Sequence, residues 1–180
     1  MKIVLALLTA AATPAPASVD ADGWEVLRQS AKEFTVKDLR GQTLRAVSLR
    51  GKIVVIDFWA TWCTPCLKEL PELAAWSEGL KSRSDVAFLS FNVTEEKATV
   101  LAFVAAKKIA YPVYLGDSLL GAYEVSSFPT KLVLDMRGAK GIVRFRRDGY
   151  TEVKSIEAKI RQLLDEPPAG RPLSGKGRDK

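Results

Sequence analysis

The stretch Ile53-Val54-Val55-Ile56-Asp57-Phe58-Trp59-Ala60-Thr61-Trp62-Cys63-Thr64-Pro65-Cys66 leads from a buried strand to a cysteine pair at the front of a helix. Ile53 to Phe58 is apolar without alternation, apart from Asp57, the pattern of a central strand covered on both faces. Downstream, Leu70, Leu73, Ala74 and Trp76 keep near-helical spacing and predict a helix from about Cys63 to Leu80, kinked at Pro71. Cysteines at i and i+3 of a helix start bring two sulfurs within disulfide reach. The free N–H groups and partial positive charge of that terminus favour a thiolate at Cys63 and make it the attacking sulfur. Cys63 is expected to lie open to a visiting chain. Pro65 suits the first turn, where its missing N–H costs nothing. Cys66, one turn deeper, is the resolving thiol, so the pair can run thiol–disulfide exchange. Two other readings of the pair stay open. A structural disulfide across so short a loop gives little entropic stabilisation. A metal site needs two further ligands, which only a second copy of the chain could supply.

Composition narrows the chemistry. The chain has 180 residues, 47% of them hydrophobic and 27% charged, which suits one globular domain with a full-sized core plus tails. It contains no histidine, which removes His-based acid–base catalysis, Ser–His and Cys–His pairs and His-ligated metal or haem. Cys63 and Cys66 are its two cysteines, too few for a disulfide framework. No resident metal and no cofactor is expected. The net charge of +6 is scattered except at Arg144, Arg146, Arg147 and the C-terminal tail, which argues against a nucleic-acid partner.

At the N-terminus, Lys2 precedes an apolar run from Ile3 to Ala12, and Ala15-Pro16-Ala17 offers small residues for cleavage before Ser18. Residues 1–17 therefore read as a cleavable signal peptide, too short to span a bilayer. A periplasmic or secreted location follows, and with it an oxidising compartment for the cysteine pair. Residues 18–33 read as a loose segment, 34–165 as the folded domain and 166–180 as a disordered basic tail.

Within the domain, Phe34-Thr35-Val36-Lys37-Asp38 and Thr43-Leu44-Arg45-Ala46-Val47 flank a turn at Gly41 and predict a β-hairpin. Asp85 to Phe91 reads as a second buried strand. Thr94-Glu95-Glu96 reads as the cap of a helix ending at Lys107-Lys108, with Val100, Leu101, Phe103 and Val104 facing inward. A short strand at 111–115, a short helix from Asp117 to Tyr123 and a loop at Ser126 to Pro129 follow. Lys131–Asp135 and Gly141–Arg147 pair across a turn at Gly138, with Arg144 and Arg146 on the solvent face of an edge strand. Val153, Ile156, Ile160 and Leu163 mark a final amphipathic helix. The order is hairpin, β-α-β-α-β-α, then β-β-α, an α/β domain with a mixed sheet.

Phe58-Trp59-Ala60-Thr61-Trp62-Cys63-Thr64-Pro65-Cys66, placed strand to helix, resembles the thioredoxin superfamily. Phe34, Asp38-Leu39-Arg40-Gly41 and Leu49-Arg50-Gly51-Lys52 upstream, with Glu69-Leu70-Pro71 downstream, are similar to exported thiol–disulfide oxidoreductases of the TlpA/ResA type. The likeness covers roughly residues 34–165. It implies a thioredoxin fold, a mixed central sheet flanked by helices, with an N-terminal β-hairpin and a central helix/strand insertion.

The resemblance assigns further roles. It implies that Pro129 is a cis-proline facing the dithiol, and that Phe128 and the backbone before it pair with an extended substrate. Trp62, Thr64 and Pro65 would complete the substrate rim. Trp59 reads as core packing that supports the loop. Burial disfavours the ionised form of a carboxylate. Asp57 then matches the buried acid that serves thioredoxins, through water, as base for the resolving thiol. Glu69, three residues after Cys66 on the same helix face, matches an acid that tunes cysteine reactivity in ResA-like proteins. Thioredoxins pair the buried acid with a lysine on the following strand, where this chain has Ser90, so its proton handling departs from theirs.

The implied function is reduction of disulfides on partner proteins. Pro65 before Cys66 resembles reductants, whereas strong oxidants carry His there. Electrons would come from a membrane thiol transporter, and clients would be disulfide-bearing proteins such as apocytochrome c or a copper-site protein. Gly121-Ala122-Tyr123-Glu124 is a poor match to the Gly-Val-Tyr-Gly-type stretch of cytochrome-maturation thioredoxins. The alternatives are an oxidase or isomerase with the same site, and a thiol-based copper chaperone. A peroxidase is disfavoured, because Cys63 lacks a Thr-x-x-Cys setting.

Overall fold

The computed structural model describes residues 18–168, so the expected leader and most of the expected tail lie outside the described residues. In chain order the strands are β1 (Ser18–Val19), β2 (Glu25–Ser30), β3 (Thr35–Lys37), β4 (Thr43–Arg45), β5 (Ile53–Trp59), β6 (Val86–Asn92), β7 (Val113–Leu115), β8 (Thr130–Asp135) and β9 (Ile142–Asp148). The helices are α1 (Thr64–Leu80), α2 (Lys97–Lys107), α3 (Asp117–Leu120) and α4 (Val153–Asp165). β3 and β4 form the expected hairpin, and α2 with β7 supply the insertion.

Seven strands make one sheet in the order β1-β2-β9-β8-β5-β6-β7. β5 pairs parallel with β6 and antiparallel with β8, so the mixed sheet read from the sequence is present. All seven residues of β5 are buried, as expected for a strand covered on both faces. Side chains alternate along it. Val54, Ile56 and Phe58 pack with Leu89, Phe91, Tyr114, Tyr123 and hairpin residue Val36. Ile53 and Val55 pack on the opposite side against Leu73 of α1 and Ile156, Ile160 and Leu163 of α4. Asp57 follows on this second face, beneath α1.

Several expectations need correction. Residues 18–33 are not loose: β2 pairs antiparallel with β9, and β1 pairs with β2. The anchor is Trp24, fully buried with Phe145 and Ile156, its indole N–H donating to Ser155 Oγ at 2.8 Å. β9 is consequently an inner strand, and Arg144 is buried, donating to Glu166 at 2.8 Å. Arg146 donates to Asp148 and to the backbone carbonyls of Tyr123 and Glu124. Leu101 is exposed, because α2 covers the sheet through a narrow seam centred on Val100. Glu96 precedes α2 without a side-chain cap, and α3 ends at Leu120.

Candidate active site

β5 ends at Trp59, whose indole N–H donates to Ser90 Oγ of β6 at 2.7 Å inside the core. That bond fixes the base of the turn Ala60-Thr61-Trp62. Cys63 sits immediately before α1, Pro65 lies in the first turn, and Cys66 points inward one turn on. The two sulfurs are bonded at 2.02 Å, with the α-carbons 5.2 Å apart. Cys63 Sγ also accepts the backbone N–H of Cys66 at 3.3 Å, a direct contact with the positive end of the helix. Cys63 is less open than expected, at 4% exposure against 1% for Cys66. Phe128 packs against the cluster that holds both residues, and Trp62, 62% exposed, meets the Phe128 ring edge-on at 6.0 Å. Thr64 and Pro65 are exposed beside them.

The Phe128–Pro129 peptide bond is cis, as the resemblance implied. The loop is pinned on both sides. Thr130 Oγ donates to Ser127 O at 2.8 Å, and the Gly149 N–H donates to Pro129 O at 2.7 Å. The second bond ties the proline loop to the turn that carries Thr151.

On the sheet face under α1, Asp57 and Glu69 come together, as their separate readings allowed, and Lys131 lies between them. Asp57 and Lys131 are antiparallel register partners on β5 and β8, so both project onto the face under α1. Lys131 Nζ donates to Asp57 Oδ1 at 3.1 Å and, more closely still, to Glu69 Oε2. The other Glu69 oxygen accepts the Thr151 N–H at 2.5 Å. All three charged side chains are buried, Lys131 completely. Burial pushes the Glu69 carboxyl up to about 7, against the pull of Lys131; the charge of Asp57 adds to the rise. Burial alone would push Lys131 down, but the charges of Asp57 and Glu69 outweigh it and the ammonium is held above its ordinary value. Ser90 does stand at the other register partner of Asp57, on β6. The lysine arrives from the strand on the opposite side.

Lys131 was missed by the sequence reading, although a signal was present. A lysine inside Thr130-Lys131-Leu132-Val133-Leu134, next to a strand apolar on both faces, must find a partner charge. Glu95 was also missed. Its carboxylate accepts the Thr61 N–H at 2.7 Å, the Thr61 hydroxyl, and the Asn92 amide at 2.8 Å, tying the turn before Cys63 to the end of β6.

A dithiol at a helix N-terminus, under a cis-proline loop on a mixed sheet, defines a thioredoxin-fold protein. The chain belongs to the AhpC/TSA family, whose model matches residues 27–145. It is similar to the thiol-disulfide oxidoreductase ResA of Bacillus subtilis, at 36% identity over 110 residues, covering 60% of this chain and 61% of that relative. The match thus spans less than two thirds of the relative's length. It is also similar to the thioredoxin-like protein YneN of Bacillus subtilis, at 30% identity over 134 residues, covering 73% of this chain and 77% of that one. Among solved structures, a thiol:disulfide interchange protein of Chlorobium tepidum superposes with a TM-score of 0.67 at 25% identity, covering 76% of this chain and 97% of its own.

Proposed function

We propose that the protein is an exported thiol–disulfide oxidoreductase that reduces disulfides of partner proteins. The observation that carries this reading is the Cys63–Cys66 pair at the start of α1, beneath the cis-proline loop and the exposed Trp62. In the reduced protein the Cys63 thiolate attacks one sulfur of a client disulfide. A Cys63–client bond forms, and the other client sulfur leaves with the electron pair. Cys66 then loses its proton to the carboxylate pair Asp57 and Glu69 and attacks Cys63 Sγ. The Cys63–Cys66 bond forms, the client leaves as its second thiolate, and two electrons have passed to the client. Trp62, Thr64, Pro65 and Phe128 offer the rim on which the client lies, with the backbone before Pro129 beside it.

The leader at residues 1–17 supports export to the periplasm or beyond, and among the described residues no helix is long and apolar enough to cross a membrane. A membrane thiol transporter fits as electron donor, and a disulfide-bearing apocytochrome or copper-site protein fits as client.

Insulin reduction tests the activity. Cys63→Ser is expected to abolish it, while Cys66→Ser is expected to accumulate mixed disulfides visible on non-reducing gels. Retained activity in Cys63→Ser removes the assignment. The direction is read from the reduction potential: a value near ~−270 mV supports the reductase and one near ~−120 mV an oxidant.

A further inference from the structure

We infer that Arg147 and Tyr150 form a second client subsite beside the cis-proline loop, one that takes an acidic side chain, Asp or Glu, of the client's disulfide-bearing segment. The inference rests on the proposed exchange activity and deepens it by naming a chemistry of the client.

Trp62 and Tyr150 are the exposed aromatic side chains among the described residues, at 62% and 44%. Both stand at the cis-proline loop. Trp62 meets Phe128 edge-on, and Tyr150 directly follows Gly149, whose N–H donates to Pro129 O at 2.7 Å. That bond and standard backbone lengths put the α-carbon of Tyr150 within about 10 Å of that of Pro129. An extended chain rises about 3.3 Å per residue, so a client backbone lying beside Phe128 reaches Tyr150 about three residues further on.

There it meets an open cavity of about 250 Å³ lined by Arg147, Tyr150, Thr151, Glu152 and Ser155. Its walls are fixed. Thr151 donates its N–H to Glu69 and its hydroxyl to Gly149 O, and Ser155 Oγ accepts the Trp24 indole N–H. Arg147 is held too, but by uncharged groups. Its Nη1 donates to Asp22 O at 2.8 Å, and the guanidinium lies so close over Gly23 that a β-carbon there would stand 1.8 Å from Nη1. Among the described residues Arg147 forms no ion pair. The nearby acids are engaged elsewhere: Glu152 with Lys154 at 2.5 Å, Asp148 with Arg146 at 3.1 Å and Asp22 with Lys159 at 2.9 Å. Glu72 accepts the Val153 N–H, so the start of α4 behind the cavity is already capped. The cavity therefore keeps one fixed positive charge beside an aromatic ring. A carboxylate matches the forked donors of a guanidinium, and the ring offers its stem an apolar wall.

The test uses the reduced full-length protein and synthetic peptides closed by a Cys–Cys disulfide, with the second-order rate constant of reduction as readout. One pair of peptides carries Glu or Gln about three positions outside each cysteine. A second pair carries Glu or Gln directly next to each cysteine. At low ionic strength the outer Glu is expected to speed reduction about three- to tenfold over the outer Gln, and added salt to shrink that ratio. In Arg147→Gln the outer ratio is expected to fall to about one. An outer ratio near unity in the wild type, or the wild-type ratio retained in Arg147→Gln, overturns the inference. An equal preference for Glu at both positions overturns it as well, because that is attraction to the net positive charge of the chain and not to a subsite. Should Arg147→Gln fail to fold, Tyr150→Ala on its exposed turn decides: the outer ratio is expected to drop by about half or more, and an unchanged ratio overturns the subsite. Failure of the underlying activity reads differently, since the wild-type protein would then reduce none of the peptides.

Discussion

Glu69 shows how one side chain can be pulled two ways. Its oxygens have good partners, Lys131 on one side and the Thr151 N–H on the other, yet burial still pushes the carboxyl from its ordinary 4.5 to about 7. Between those values the folded state holds more protons than the unfolded chain, so stability falls as pH rises through this window and is lowest above it. The displacement corresponds to roughly 3 kcal/mol. Urea unfolding of wild type and Glu69→Gln at about pH 4.5 and about pH 8 should show it, with the wild type losing roughly 3 kcal/mol more than the variant over that interval. Equal losses in the two proteins would show that Glu69 is not held as described. The positions of Asp57 and Glu69 were readable because strand alternation and the i, i+3 helix relation are local. Their joint partner was not, because β8 sits 74 residues beyond Asp57 in the chain and only sheet register brings Lys131 opposite it.

At the scale of elements, most strands and helices follow from period and turn signals, and the departures occur where a local signal was captured by a distant group. Thr94-Glu95-Glu96 reads as a helix cap. In the fold Glu95 instead braces Thr61 ahead of Cys63, and the Thr94 N–H donates to Asp117 of α3 at 2.6 Å. Reaching both partners places Thr94 at φ 63°, a left-handed conformation that a β-branched residue rarely adopts. Glycine adopts it without a steric penalty but loses more backbone freedom on folding. The steric relief, about 1–2 kcal/mol, exceeds that entropic loss. Thr94→Gly is therefore expected to raise stability by about 0.5–1 kcal/mol, seen as a higher urea midpoint at unchanged slope. A lower midpoint would mean that the threonine side chain itself supports this corner.

Across the whole molecule, the N-terminal segment decides where the sheet ends. Its composition before Trp24 is that of a linker, and the short strand beyond it alternates too weakly to announce itself. What makes 18–33 part of the domain is non-local: β2 needs β9 as its partner, and Trp24 needs the first turn of α4. With β2 in place, β9 loses its free edge, Arg144 is drawn into the interior, and Lys159 of α4 pairs with Asp20 and Asp22 at 2.7 and 2.9 Å. The segment thus clamps α4 against the face on which α1 also packs. Truncating the buried indole should loosen that clamp at a cost of about 3–5 kcal/mol, the range for a large aromatic removed from a core. Trp24→Phe keeps much of the apolar area and loses the bond to Ser155, so its cost should be the smaller of the two. Urea unfolding of the two variants beside the wild type gives the order directly. If Trp24→Ala unfolds within about 0.5 kcal/mol of the wild type, the size of an ordinary surface substitution, the segment is not part of the core.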